Sequence, residues 1–481
     1  MLPTITVDIG TTSVKVGLFD ADGEPLASAR HATPTVRDRW GEVYDLDALT
    51  GMVLGFVQGL APDLRAGVRR VAITGVGESG GLVRDDLSLA SPMILWHDHR
   101  GADRLAPLGA ADRTRVYEVT GLPVNANYGL SKVAWAVEHA DGALGGAVWL
   151  NVAEYLAARM TGRRWSERSL ASRTMALDLT DRTWSAEVCA LLGLDTSLFP
   201  ELRVAAKGST ITPDLAASTG LAADVRVHVA GHDHMVGAVG AGLRPGELLN
   251  STGTTEGLLF VDEKPSLDAH AERSKLANGL ACAGDDYTLF ASVPTGGSAF
   301  ATLQRMLGLD ADRLTACVDR LHERYVAGEI DLSAVPLVLP QFRGSPPPTK
   351  RATARGVIAG LGTDTSLEDI VFGCFAGMAL QFQDVLALFP AQAEVVKVIG
   401  PASRNNLWLQ LKADLLGTPL SVSQVPEVVS RGAQALASGE EPTWESCRPW
   451  TVPVHDGRAA LLHEWSAENR SRWDQLHEVA G

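Results

Sequence analysis

Cysteine is scarce in this chain of 481 residues. The five cysteines are Cys189, Cys282, Cys317, Cys374 and Cys447, and no Cys-x-x-Cys pair occurs among them. An odd and dispersed set excludes a disulfide framework and a cysteine-based zinc site. The pattern is typical of a protein from a reducing compartment.

Basic residues are outnumbered as well. The chain has 42 Lys and Arg residues against 57 Asp and Glu residues, a formal net charge of −15. A nucleic-acid-binding surface needs a basic stripe that displaces counterions from phosphate, so this balance argues against a nucleic-acid partner. Small anionic ligands stay open, because backbone N–H groups and a bound cation can hold them locally.

The charge-free run at residues 287–304 does not suit a membrane span. It contains Pro294, Gly296 and Gly297, which are wrong for a transmembrane helix. The N-terminus begins with strand-like residues and shows neither the basic region nor the apolar stretch of a secretory signal. We therefore expect a cytoplasmic protein with no membrane partner.

Apolar residues alternate with polar ones near the N-terminus. Ile5, Val7 and Ile9 follow this pattern, and Val14 and Val16 resume it after a Gly-Thr-Thr-Ser turn, which predicts two strands. Further strands are predicted at residues 26–33, 70–76, 225–229 and 395–399, and helices at 127–139, 151–160, 367–389 and 405–416.

The first strand-turn-strand unit has a counterpart later in the chain. Ser251-Thr-Gly-Thr-Thr255 joins two apolar runs, as the Gly-Thr-Thr-Ser turn does near the N-terminus. Such a repeat suggests two related domains, and the chain is long enough for two or three. We predict domains at residues 1–243 and 244–440, followed by a packing segment at 441–481 that consists of a loop and a helix.

Asp8-Ile-Gly-Thr-Thr-Ser13 places a carboxylate at a strand end, followed by hydroxyl groups in a turn. Turn amides and hydroxyls can wrap a polyphosphate, and Asp8 can hold a divalent cation through water. The motif is not a Walker A loop, since no Gly-Lys-Ser follows. Together with the second Gly-Thr-Thr turn it predicts a two-sided phosphate clamp across a cleft, with an ordinary hairpin as the alternative.

Gly231-His232-Asp233-His234 directly follows a predicted strand. A carboxylate at the carboxyl end of a strand can accept a proton from a substrate hydroxyl. Neighbouring residues on an extended segment point to opposite sides, so we expect that one metal ion does not bind His232 and Asp233 together. The sequence therefore favours a general base here over a zinc site.

Gly400-Pro-Ala-Ser-Arg-Asn405 lies between a predicted strand and a predicted helix. A tight turn of this kind suits the docking of a purine and its ribose on backbone groups. A plain helix-capping turn explains the same residues equally well.

Together these motifs resemble the FGGY family of carbohydrate kinases, whose fold is the actin-like ATPase (ribonuclease H-like) fold. The resemblance runs in order over nearly the whole chain. It also includes Ile94-Leu-Trp-His-Asp-His-Arg100, Ala171-Ser-Arg-Thr174 and Pro294-Thr-Gly-Gly297. It implies an α/β protein in which two such domains flank a catalytic cleft, and transfer of the ATP γ-phosphoryl group to a sugar hydroxyl with Mg²⁺ as cofactor.

The resemblance also implies roles for individual residues. Asp233 would be the catalytic base and would contact the sugar, and Asp8 would be the magnesium-associated carboxylate. The phosphate and nucleotide contacts would be Thr11, Thr12, Ser13, Thr254, Gly296, Gly400 and Asn405. Glu78, Ser79, Trp96 and Asp98 would lie near the sugar.

Pro401 departs from the family pattern, which has a Gly-Gly pair at this turn. Proline removes an amide donor and fixes φ, so we expect either a relaxed base preference, with GTP or ITP accepted beside ATP, or a neutral substitution. The neutral outcome is the one we favour.

The acceptor is the second open point. The segment Val76-Gly-Glu78-Ser-Gly80 matches neither the glycerol-kinase nor the xylulokinase version. The His-Asp-His version of the base segment resembles ketose-kinase relatives more than glycerol kinases. This resemblance implies a ketose acceptor, a pentulose or a hexulose, and a polyol is the alternative. A nucleotide-gated binding protein without turnover is a third hypothesis, against which the retention of Asp8 and Asp233 argues. A homodimer is one assembly that the sequence leaves open.

Overall fold

The computed structural model describes residues 1–390 and 392–481 and contains two large mixed β-sheets. In spatial order, the six strands of the first sheet are Ser209–Thr210, Arg226–His232, Arg70–Gly75, Thr4–Ile9, Ser13–Phe19 and Pro25–Ala32. The strands that begin at Thr4, Arg70 and Arg226 run parallel to one another. Their carboxyl ends therefore meet at one edge of the sheet, where open α/β sheets bind ligands.

The second sheet repeats this arrangement. In spatial order, its seven strands are Ala277–Leu280, Tyr287–Val293, Glu256–Asp262, Glu247–Thr252, Val395–Ile399, Leu420–Val422 and Trp450–Val452. The strands that begin at Glu247 and Glu256 form an antiparallel hairpin, and the first of them is parallel to the strand that begins at Val395. The hairpin repeat predicted from the sequence is confirmed.

Helices connect the strands in both parts of the chain. Those up to residue 240 are Leu46–Gly59, Pro62–Gly67, Ala110–Thr120, Gly129–Glu138, Val152–Thr161, Arg168–Ala171, Ala186–Ala190, Pro213–Thr219 and Asp233–Gly240. The later ones are Ala269–Arg273, Ser298–Leu307, Ala311–Ala327, Leu367–Leu386, Asn406–Leu416, Val428–Ser438 and Asp456–Val479. Each helix and strand predicted from the sequence is present, with bounds that differ by a few residues.

Short strands pair outside the two large sheets. The pairs are Thr35–Arg37 with Glu42–Tyr44, Gly81–Val83 with Val148–Leu150, Leu337–Leu339 with Val357–Ala359, Ser166–Glu167 with Leu202–Arg203, and Leu177–Asp178 with Thr183–Trp184.

The C-terminal segment contains a long helix and, in the part predicted as a loop, a short strand. Trp465 and Trp473 of the helix Asp456–Val479 are buried, and the indole N–H of Trp473 donates to Asp384 at 2.7 Å. The preceding part is not only a loop. The strand Trp450–Val452 pairs with strand Leu420–Val422 and forms the edge of the second sheet.

The helix Leu367–Leu386 is long and apolar enough to cross a membrane by length and composition. Most of it is buried inside the protein, including Phe372, Phe375 and Phe382. A helix that is apolar on all sides fits the centre of a large core. Its hydropathy is therefore explained by its position between other elements.

Two helices from different parts of the chain touch closely. Helix Asp233–Gly240 packs against helix Val428–Ser438, which also contacts the first sheet. A Cβ atom at Gly240 or at Gly432 would collide with a carbonyl oxygen of the opposite helix. The two backbones are therefore in direct contact, which only glycine permits at these positions.

Candidate functional site

The carboxyl edge of the first sheet brings two carboxylates together. Asp8 lies near the end of strand Thr4–Ile9, and Asp233 begins a helix directly after strand Arg226–His232. Burial, and next the neighbouring Asp233 carboxylate, raise the pKa of Asp8 to about 7. The Asp233 carboxylate is therefore close enough to influence the ionisation of Asp8.

Asp8 has the features of a magnesium ligand. Its side chain is buried, and its Oδ1 has no hydrogen-bond partner in the part of the chain that the structure describes. No group of three His, Cys, Asp or Glu residues that could hold a metal occurs among residues 1–390 and 392–481. Mg²⁺ commonly binds through one or two carboxylates together with substrate phosphates and water, so the residues present fit it.

Asp233 is fixed by its own helix start. Its Oδ1 accepts the N–H of His234 at 2.7 Å, and Nε2 of His232 lies 3.4 Å from the same oxygen. Burial raises the pKa of Asp233 and lowers that of His232 well below its usual value. The expectation that His232 and Asp233 point to opposite sides is wrong, because the chain passes from strand to helix between them.

The first Thr-rich turn is held by its backbone. The N–H of Gly10 donates to the carbonyl of Ser13 at 3.1 Å, and the Thr33 hydroxyl donates to the carbonyl of Gly10 at 2.8 Å. Thr11 and Thr12 are exposed, and Ser13 is half-buried. The turn therefore offers accessible hydroxyl groups on a fixed frame.

The second Thr-rich turn is held by a helix start. The carbonyl of Thr254 accepts the N–H groups of Gly296 and Ser298, each at 3.2 Å, while the Thr254 side chain is exposed. A Cβ atom at Gly296 would lie 2.6 Å from the carbonyl carbon of Thr255. Glycine at this position is therefore required for the close approach of the turn.

A buried ion pair supports the second turn from below. Lys412 pairs with Glu256 and donates to Oδ1 of Asn250 at 2.9 Å, and Asn250 donates to Glu256 at 2.8 Å. The Lys412 and Glu256 side chains are 0% and 1% exposed. Since Glu256 directly follows the turn and Lys412 lies on helix Asn406–Leu416, the pair ties the turn to that helix.

A cavity of about 760 Å³ opens between the second turn and this helix. Its lining is mostly apolar and includes Gly253, Thr254, Gly296, Gly297, Phe300, Val318, Asp319, Phe375, Pro401, Asn405 and Trp408. A mostly apolar cavity of this size suits a purine nucleoside. The structure thus brings Thr254, Gly296 and Asn405 together, as the resemblance implies.

Gly400 and Pro401 have different positions in this region. Gly400 does not line the cavity; its φ is +102°, and a Cβ atom there would lie 2.6 Å from the carbonyl oxygen of Thr252. Pro401 lines the cavity as the first residue of the 3₁₀ turn Pro401–Arg404. The amide of a first-turn residue has no partner within the turn, so proline removes no bond here.

Asn405 combines capping with a position in the cavity wall. Its side-chain oxygen accepts the N–H of Trp408 at 3.0 Å at the start of helix Asn406–Leu416. The capping interpretation of this segment is therefore correct, and it is compatible with ligand binding because the side-chain amide nitrogen keeps its donors.

Glu78 forms a buried ion pair near the carboxyl edge of the first sheet. Nε and Nη2 of Arg173 donate to the same oxygen of Glu78 at 3.0 and 2.9 Å, and the Arg173 side chain is 4% exposed. The guanidinium lies 5.2 Å from the ring centre of Tyr128. Arg173 lies in a segment that carries the family resemblance, but sequence reasoning gave it no role.

Lys132 is a second residue that sequence reasoning missed. Its buried amine donates to the carbonyl oxygens of Glu78, Trp96 and Asn127 at 3.0, 2.7 and 2.5 Å. Burial lowers the pKa of Lys132 to about 8. A lysine among the apolar residues of helix Gly129–Glu138 is the signal that could have identified this brace of the predicted sugar segments.

The other residues predicted near the sugar are engaged with the protein. Ser79 is buried, and its hydroxyl accepts Nδ2 of Asn151 at 3.1 Å. Asp98 accepts three N–H groups of Arg100, which lower its pKa although burial acts in the opposite direction. Trp96 donates to Thr11.

Comparison with known proteins shows which protein family the sequence matches. Residues 4–240 match the N-terminal domain of the FGGY family of carbohydrate kinases, and residues 248–439 match its C-terminal domain. A xylulose kinase of Bacillus subtilis (strain 168) is 26% identical over 497 residues, covering 99% of this chain and 95% of the relative. A glycerol kinase of Nocardia farcinica (strain IFM 10152) is 27% identical over 495 residues, covering 96% of each.

Solved structures share the fold. A ligand-bound xylulose kinase from Lactobacillus acidophilus superposes with a TM-score of 0.85 at 18% identity, covering 100% of this chain and 99% of the other. A Plasmodium falciparum glycerol kinase with ADP superposes with a TM-score of 0.82 at 18% identity, covering 99% and 98%. The predicted two-domain actin-like ATPase architecture is thereby confirmed.

Proposed function

The chain belongs to the FGGY family of carbohydrate kinases, which phosphorylate a sugar or polyol with ATP, and we propose that its acceptor is a ketose and its base Asp233. One observation carries the choice of base. The Asp233 carboxylate raises the pKa of Asp8, and both residues lie at the edge of the first sheet where three parallel strands end. Phosphoryl transfer uses a residue that orients or deprotonates the nucleophile and a metal ion that neutralises the phosphates, and these two carboxylates suit the two roles.

Asp233 would take the proton of the acceptor hydroxyl. As the hydroxyl oxygen bonds to the γ-phosphorus, the bond to the ADP oxygen breaks and the proton passes to the carboxylate. Oδ1 already accepts the N–H of His234, so Oδ2 is the oxygen we assign to the substrate. A pKa raised by burial makes the carboxylate a stronger acceptor than a solvated one.

The other residues would position the nucleotide and offset its charge. We assign the β- and γ-phosphates to the hydroxyls of Thr11, Thr12 and Thr254, and the adenosine to the apolar cavity beside Asn405. Mg²⁺, bound beside Asp8, would neutralise charge on the phosphates. The unpartnered Asp8 oxygen supports this role.

The choice between ketose and polyol rests on the sugar side. The His232-Asp233-His234 segment favours a ketose, whereas the xylulose and glycerol kinase relatives are equally similar to this chain. A binding protein without turnover loses its one support, since Pro401 occupies a turn position where no amide is required. A polyol therefore remains as the alternative acceptor.

Three further assignments are proposals. We place one domain boundary at 243/244, supported by the two sheets. We place the start of the C-terminal packing segment at 441, supported by the packing of helix Asp456–Val479 against the second part, and strand Trp450–Val452 of this segment extends the second sheet. A cytoplasmic location and a homodimer stay predictions of the sequence.

Release of ADP with MgATP and a panel of pentuloses, hexuloses, glycerol and pentitols tests the proposal. We expect a ketose to give the highest kcat/KM, and Asp233→Asn to lower kcat by roughly 10²–10⁴-fold with little change in KM. Asp224→Asn, an exposed carboxylate before the same strand, is the matched control. Preference for a polyol would establish the alternative, and full activity of Asp233→Asn would exclude Asp233 as the base.

A further inference from the structure

One peptide bond next to the proposed base is held by two hydroxyl groups. The carbonyl of Gly231 accepts the Thr74 hydroxyl at 2.7 Å, and the N–H of His232 donates to the Ser169 hydroxyl at 2.9 Å. Thr74 and Ser169 are both 0% exposed. These two bonds act on opposite ends of the same peptide plane.

The sheet pairing is irregular directly before this peptide. Pairing between strands Arg226–His232 and Arg70–Gly75 shifts register between Val229 and Gly231. Gly231 has a φ of +125°, a conformation that residues with side chains rarely adopt. A bulge of this kind re-aims the chain. The ladder resumes with Gly231 opposite Thr74 and His232 opposite Gly75, and the two hydroxyl bonds add to that pairing.

Ser169 has a defined hydrogen-bond direction. Its hydroxyl donates to Oε2 of Glu167 at 2.5 Å and accepts the thiol of Cys282 at 3.2 Å beside the His232 N–H. Oε2 of Glu167 also accepts the N–H groups of Ser169 and Leu170 at 2.8 and 3.2 Å. The single hydroxyl proton points to Glu167, so the oxygen lone pairs face the His232 amide.

We propose that Thr74 and Ser169 are positioning residues that set the direction of the Asp233 carboxylate by clamping the Gly231–His232 peptide. This inference rests on the proposed role of Asp233 as base. Asp233 follows the clamped peptide by one residue, so rotation of that plane displaces its carboxylate relative to the acceptor hydroxyl. Misplacement of about 1 Å lowers turnover on the order of 10²-fold in enzymes.

A pair of substitutions at Thr74 separates the hydrogen bond from packing. Thr74→Val keeps the shape and removes the donor, and we expect kcat to fall about ten- to hundred-fold while both KM values stay within about two-fold. Thr74→Ser keeps the donor and removes a methyl group. We expect it to retain kcat within about three-fold of the wild-type value, although it removes buried apolar volume.

Ser169→Ala and Ser172→Ala form the second test. Ser172 is the matched control, because its buried hydroxyl also accepts a backbone N–H, that of Leu280 at 3.2 Å, but has no bond to the clamped peptide. We expect similar losses of melting temperature in both variants and a fall in kcat in Ser169→Ala alone. If Ser169→Ala does not fold, the Thr74 pair decides.

Asp233→Asn distinguishes failure of the proposed base from failure of the positioning role of Thr74 and Ser169. If Asp233→Asn loses turnover while Thr74→Val keeps it, the positioning role is wrong and the proposed base stands. If Thr74→Ser is as slow as Thr74→Val, packing explains the effect and the clamp is again overturned. If Asp233→Asn stays active, the proposed base itself is wrong.

Discussion

The indole N–H of Trp96 donates a hydrogen bond of 2.9 Å to the hydroxyl oxygen of Thr11. Trp96 belongs to the segment that we assign to the sugar, and Thr11 to the turn that we assign to the phosphates. A hydroxyl that accepts from the indole keeps its own proton as a donor for another group. The bond therefore joins the two substrate regions and directs the Thr11 proton away from Trp96.

We expect Trp96→Phe and Thr11→Val to be coupled. Each substitution removes one partner of the bond, so a double-mutant cycle on kcat/KM for ATP should give a coupling of about 0.5–1.5 kcal/mol. Steady-state kinetics of the wild type, both single variants and the double variant measure it. Additive effects within about 0.3 kcal/mol would show that the bond does not matter in the working enzyme.

Asp8→Asn should stabilise the fold and remove activity. Burial raises the pKa of Asp8 from 3.8 to about 7. At pH values between these two, the folded protein keeps a proton on Asp8 that the unfolded chain releases. The stability that Asp8 contributes is present below about pH 4 and is lost as the pH rises through 7. The gain in melting temperature over wild type should therefore grow from about pH 4 to about pH 7 and then level off.

Thermal unfolding of both proteins over this pH range, with MgATP turnover in parallel, checks the prediction. A variant no more stable than wild type at about pH 8 would mean that the ionised Asp8 carboxylate is not destabilised by burial. Glu154 and Glu167 titrate in the same range, with pKa values that burial raises to about 7 and about 8, but they are common to both proteins and cancel in the difference.

Thr254→Val should weaken ATP binding much more than acceptor binding. The Thr254 carbonyl holds the turn through Gly296 and Ser298, and valine preserves these backbone bonds while it removes the exposed hydroxyl. A hydrogen bond to a charged phosphate contributes about 1.5–3 kcal/mol, which is roughly ten- to hundred-fold in affinity. Calorimetric titration with MgATP and with the acceptor measures the two affinities. Equal weakening of both would contradict the two-sided phosphate clamp formed by the Thr-rich turns.

Pro401→Gly should leave the nucleotide preference unchanged. Pro401 is the first residue of a 3₁₀ turn, and the following bonds, from Ser403 to Gly400 and from Asn405 to Ala402, do not need its amide. We expect the ratio of kcat/KM for ATP and GTP to stay within about two-fold and stability to fall by about 0.4–1 kcal/mol, because glycine frees the unfolded chain. A sharpened preference for ATP would instead support a relaxed wild-type pocket.

The local sequence is sufficient for the sheets and for the hairpin repeat. Alternating residues such as Ile5, Val7 and Ile9 report directly on the buried faces of a strand, and the Gly-Thr-Thr turns mark where a hairpin closes. The strand Trp450–Val452 was missed because it is short and belongs to a sheet edge. Its pairing depends on a partner strand about thirty residues away and not on its own pattern.

The supporting residues of the candidate site have no local signal of their role. Lys132 and Thr74 are polar residues in apolar segments, which the sequence can mark as unusual, whereas Ser169 lies among polar residues and has no such mark. Which carbonyl or amide each one meets depends on how distant segments pack, since Thr74 and Gly231 are 157 positions apart. Sequence reasoning therefore predicts the strand ends to which we assign the chemistry, but not the groups that hold them.

The contact between helices Asp233–Gly240 and Val428–Ser438 has a mechanical consequence. Where two backbones touch at Gly240 and Gly432, no flexible side chain lies between them to absorb a displacement. Helix Asp233–Gly240 makes this contact at its C-terminal end and carries the Asp233 carboxylate at its N-terminal end. A shift of helix Val428–Ser438 at this contact would therefore have to move helix Asp233–Gly240 as well, and with it the residue that we propose as the base.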